Sequence, residues 1–172
     1  MNVGVILVQI WCNTLCDDNI NNQYYRFFTA GLTHTNVLHL IANVCTMLWI
    51  GHLYESRLGS VKFLLIGFIC AVVSQVIYLM IYPDSTDSFG GSGYNFALCG
   101  FCLAMQFLVT DFPRLKWGTW SGNWIITYLI IGNLPILPFM DLTTGVFHII
   151  AFFLGVSVAL VCRIFARKGS GA

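Results

Sequence analysis

Charge is scarce along these 172 residues. Lys and Arg number 8, Asp and Glu 7, so 9% of the chain is charged, against about 25% in an ordinary soluble domain. So few charges cannot cover a surface in water. A soluble globular domain is excluded, and the surface must face lipid. An excess of one sign is lacking as well. With a net charge of +1 and no basic or acidic tail, there is no field to hold a nucleic acid, and none is expected as a partner. Polar low-complexity stretches are absent, and no block of soluble composition stands apart from the rest. Residues 1–172 therefore read as one multi-pass membrane domain. The H-E-x-x-H pattern of zinc proteases is missing. Nothing resembles an inverted repeat, and charges do not line the apolar runs, which argues against a transporter or channel.

What the chain does have is apolar length. Hydrophobic residues make up 58% of it, and the mean hydropathy is +0.79. A spanning helix needs about 20 mostly apolar residues, and six candidates appear. They run from Asn2 to Cys16 (short), Val37 to Leu53, Val61 to Tyr82, Ser92 to Thr110, Trp124 to Met140 (interrupted by Pro135 and Pro138) and Thr144 to Ile164. The first lacks the basic start and cleavage site of a signal peptide, so it is kept as a helix. Arg57, Lys62, Arg114, Lys116, Arg163, Arg167 and Lys168 then fall on one side, and only Arg26 falls on the other. That bias predicts cytoplasmic N- and C-termini. The expected fold is an all-α, six-helix transmembrane bundle.

Gly93 with Ala97, and Ala151 with Gly155, each place two small residues four apart on one helix face. Such pairs let backbones approach closely in lipid, so the fourth and sixth spans should pack together. Of the seven cysteines, all but Cys16 lie well inside apolar runs and read as small apolar fillers. Cys99 and Cys102 match redox C-x-x-C spacing, but no βαβ pattern surrounds them.

Polar groups within a bilayer need partners and point by default to function. His34, His39 and Asn43 open the second span, with His39 and Asn43 one helical turn apart. Ser92, flanked by Gly90, Gly91 and Gly93, opens the fourth span from the same side. His148 enters the sixth span from that side too. All these groups fall in the outer half of the membrane. A serine hydroxyl needs a neighbouring base to become a nucleophile, and His148 is the only histidine on a span other than the second. An acyl-transfer transition state also needs donors for its oxyanion. His39, the Asn43 amide and the Ser92 backbone N–H are candidates. Each piece also has a structural explanation, a histidine or asparagine tying helices together. His52 has only that one.

Together these residues resemble the rhomboid family of intramembrane serine proteases, from Tyr25 onward. His34, His39 and Asn43 match H-x(4)-H-x(3)-N. Glu55-Ser56-Arg57-Leu58-Gly59-Ser60 is similar to the family's turn into the third span. Gly90-x-Ser92-Gly93, followed by Phe96, Ala97, Leu98 and Gly100, resembles the nucleophile motif, and His148, Ala151 and Gly155 resemble the last span. The resemblance implies a Ser92/His148 dyad without an acidic third member and an oxyanion site from His39, Asn43 and Ser92. It also implies that Phe96 packs on the His148 ring, and that His34, Gly90 and Gly93 support the site. It implies hydrolysis of peptide bonds in or near transmembrane segments of other proteins, within the lipid bilayer, with no metal or organic cofactor. The chain departs from the family pattern at Tyr25 (usually Trp), at Ala151 (usually Gly), at Phe147 (usually small) and in its short segment from Asp17 to Tyr24. The alternative functions are an inactive rhomboid-like protein that binds membrane clients, and haem held between His39 and His148.

Overall fold

The computed structural model describes residues 37–83, 91–134 and 142–169, with side chains described as far as Ile164. Five helices occupy them: α1 (Val37–Leu58), α2 (Ser60–Ile81), α3 (Ser92–Leu108), α4 (Trp120–Ile131) and α5 (Leu142–Gly169). The expected first span, His34, Gly90 and the two prolines of the fifth span lie outside the described residues.

α1 runs past the apolar stretch that ends at Leu53, because Tyr54 to Leu58 remain helix-compatible and Tyr54 is buried. Gly59 stops it. That residue adopts φ 82, a left-handed conformation that costs glycine little. Its N–H donates to the Glu55 carbonyl at 2.8 Å, and its carbonyl accepts from Phe63 N–H at 3.0 Å. One glycine thus ends α1 and starts α2. The outer face of α2 exposes Val61, Leu65, Ile69, Val73, Val76 and Met80. An apolar face of this length suits lipid rather than water. α1, α2 and residues 142–164 are each long and apolar enough to cross a membrane.

α3 is apolar on all sides, the pattern of a helix enclosed by others. From Ser92 to Cys102 only Tyr94 is not fully buried. Cys99 and Cys102 are free thiols in this core. The pairing of α3 with α5 is the most extensive among the described helices, as the small residues predict. It is also intolerant of bulk. A methyl group at Gly155 would overlap the Ala97 carbonyl, and one at Gly100 would overlap the Phe152 carbonyl. Ala151, where the family has glycine, is accommodated with 0% exposure.

α4 differs from expectation. It begins four residues earlier than Trp124, because the Thr119 hydroxyl caps it by accepting Gly122 N–H at 3.1 Å. It ends at Ile131 instead of continuing to Met140. Gly132 and Asn133 are weak helix formers, and Pro135 cannot supply the next backbone N–H. Twelve residues rise only ~18 Å.

Candidate active site

Ser92 is the first residue of α3, with Gly91 before it as the cap. It is 2% exposed. The first N–H groups of a helix have no intrahelical acceptor, so the serine side chain and a set of unengaged backbone donors arrive together. Gly93 is needed beside it, because a methyl there would run into the Phe147 ring. The bulky residue preceding His148 thus packs directly against a glycine.

His148 lies in the second turn of α5 and is fully buried. Its Nδ1 sits 2.6 Å from the Gly132 carbonyl oxygen at the end of α4. A carbonyl can only accept, so Nδ1 carries the proton and the neutral ring keeps Nε2 as a free base. Nε2 is buried and has no hydrogen-bond partner among the described residues. The ring lies flat on Phe96, with centroids 4.1 Å apart and planes 9° from parallel. One face is therefore held by an aromatic ring and one edge by a backbone carbonyl.

Ser92, Phe96 and His148 line one cavity of about 260 Å³, with His39, Trp124 and Tyr128 across from them. The cavity thus draws on α1, α3, α4 and α5. No hydrogen bond joins Ser92 to His148, although both line the same cavity. Catalytic hydrogen bonds are commonly loose before substrate binds.

The other expected residues divide. His39 reaches the cavity, as does Ala42 one turn along. Asn43 does not line it. Its Nδ2 donates to the His39 carbonyl at 3.0 Å, and its Oδ1 accepts from Tyr128 Oη at 2.6 Å and from Asn95 Nδ2 at 3.0 Å. One Nδ2 hydrogen remains. Thr46, a turn further, accepts from Trp124 Nε1 at 2.9 Å. His52 is exposed and, among the described residues, meets the edge of Trp49, a contact within α1 that ties no second helix to it. Sequence reasoning missed Asn95, Tyr128 and Gly132. The first two were open to discovery as polar groups inside apolar runs. Gly132 was not, because it acts through its backbone.

Compared with protein families, the chain matches the Rhomboid domain over residues 21–165. That range includes α1 to α4 whole and most of α5. The chain belongs to the rhomboid family and is an integral, multi-pass membrane protein.

Proposed function

We propose that this protein is an intramembrane serine protease that hydrolyses peptide bonds in or near transmembrane segments of other membrane proteins. One observation carries the reading. Ser92 and His148 stand on the helix pair with the most extensive contact among those described and open on one cavity, and the Nδ1 bond to Gly132 favours the tautomer that leaves Nε2 free to take a proton. In this reading Ser92 Oγ attacks the scissile carbonyl as Nε2 accepts its proton. The acyl-enzyme forms, and the leaving amine takes that proton from Nε2. Water then attacks the acyl carbon as Nε2 takes its proton, the acyl product leaves as the acid, and Nε2 passes the proton back to Ser92 Oγ.

The oxyanion would lie at the N-terminus of α3, where the Ser92 N–H and the helix dipole favour negative charge. His39, which lines the cavity, and the spare N–H of Asn43, one turn along α1 from His39, would complete the donor set. Among the described residues no carboxylate bonds to the histidine. The Gly132 carbonyl takes that part, and the negative end of α4 favours the imidazolium formed during the reaction. The scissile backbone must leave its helix to reach Ser92, so substrates with glycine or proline near the cut should be preferred. The same reading gives six transmembrane helices, N- and C-termini in the cytoplasm, and one domain from 1 to 172.

The test is covalent labelling with a fluorophosphonate, run beside cleavage of a model transmembrane substrate in liposomes. The native protein should label and cleave. Ser92→Ala should do neither, and His148→Ala should lose both while remaining folded. A native protein that neither labels nor cleaves would instead favour an inactive, client-binding member of the family.

A further inference from the structure

We infer that Asn95 and Tyr128 are positioning residues that hold the Asn43 amide in its donor orientation; the inference rests on the proposed oxyanion role of Asn43. Asn95 lies one turn into α3, 2% exposed, in an otherwise apolar stretch. Burying an amide there is costly unless it is bonded. Its Nδ2 donates twice to one residue, to the Asn43 backbone carbonyl at 2.9 Å and to Asn43 Oδ1 at 3.0 Å. Tyr128 Oη adds a second donor to that Oδ1 at 2.6 Å.

The hydrogen-bond directions follow from the acceptors. A backbone carbonyl only accepts, so the Asn95 prong facing it must be Nδ2. The Asn43 prong that meets this amide must then be the oxygen. Independently, the other Asn43 prong faces the His39 carbonyl and must be nitrogen. The two ends agree, and a flip of the Asn43 amide would set donor against donor and acceptor against acceptor. Asn43 Nδ2 spends one hydrogen on His39 and keeps one. With Asn95 or Tyr128 removed, Oδ1 loses a donor in a buried site, and the amide gains reason to turn. The residues come from three helices, α1, α3 and α4, so the orientation of the Asn43 amide is set by the bundle and not by α1 alone.

A double-mutant cycle on steady-state cleavage tests this. Asn95→Leu keeps volume, and Tyr128→Phe removes one hydroxyl. Each should lower kcat by about fivefold or more, with KM within about twofold. In an Asn43→Ala background each should change kcat by less than about twofold, because nothing remains to be aimed. Equal losses in both backgrounds would mean that Asn95 and Tyr128 only brace the bundle, and would overturn the inference. Unchanged kcat in both single variants would overturn it as well. Should Asn95→Leu not fold, Tyr128→Phe alone completes the cycle. Failure of the underlying reading has its own signature: Asn43→Ala alone would leave kcat intact, before any second substitution is made.

Discussion

Replacing Phe96 by leucine separates what its ring does for His148 from what its bulk does for the core. Phe96 is 1% exposed, lies parallel to His148 at 4.1 Å and meets Tyr128 at 5.1 Å and 34°. Alanine would be a poor probe, since emptying a buried phenylalanine site costs about 3–5 kcal/mol and would confuse orientation with unfolding. Leucine keeps most of the apolar volume, and swaps of that kind usually cost under about 1.5 kcal/mol. What leucine lacks is a flat face. An aromatic stack contributes about 0.5–1.5 kcal/mol beyond area burial. His148 is also restrained by the Nδ1 bond to Gly132 and by a tilted contact with Phe147 at 6.1 Å, and the stack adds a flat face to these.

If the whole of the stacking term serves to orient the base, its loss should lower kcat by about two- to tenfold. Steady-state cleavage in liposomes gives kcat and KM, and thermal unfolding of the same preparation gives stability. The expected result is a reduced kcat, a KM within about twofold of the native value and a small fall in Tm. A native kcat with a lowered Tm would refute the reasoning and leave the ring as filler. A loss wholly in KM would mean that Phe96 acts on the substrate and not on the base.

Two further outcomes follow from packing and from charge. Gly155→Val would force a side chain into the Ala97 carbonyl on the facing helix. Since backbone cannot swing aside, the cost should be at least the ~1–3 kcal/mol of ordinary overpacking, and an unchanged thermal midpoint would show that α3 and α5 are not so closely held. Cysteine-accessibility labelling should place a cysteine at Ser85 on the non-cytoplasmic side and one at Ser60 on the cytoplasmic side; finding both on one side would sink the six-span arrangement.

The parts of the site legible in the sequence were those that break an apolar pattern. Ser92, His39 and His148 stand out because lipid penalises them, and the cavity holds all three. The α3/α5 pairing was legible for the opposite reason, as small residues where bulk would be normal. The end of α4 was harder to read. Apolar composition continues from Ile131 to Met140, so a hydropathy count carries no signal of the helix end at Ile131. Gly132 was illegible in principle, because its contribution is a carbonyl that every residue carries. The partnership of Asn43 with Tyr128, 85 residues away, depends on how α4 leans on α1. No local pattern encodes that.

The early stop of α4 links these facts into one argument. The last carbonyls of any helix have no intrahelical partners, and apolar surroundings cannot supply them. Here the side chain of Asn133 turns back to the Leu129 carbonyl at 2.7 Å, and the Gly132 carbonyl is met by His148 at 2.6 Å. The histidine has the matching need. An imidazole that is to act as a base through Nε2 must lodge its proton on Nδ1 against a fixed acceptor. A broken helix and a buried base therefore satisfy one another. In the proposed mechanism that exchange orients His148 through a backbone carbonyl, and the short α4 becomes part of the candidate site. A full-length helix in its place would bond its own carbonyls along its axis and leave His148 without the acceptor that sets its tautomer.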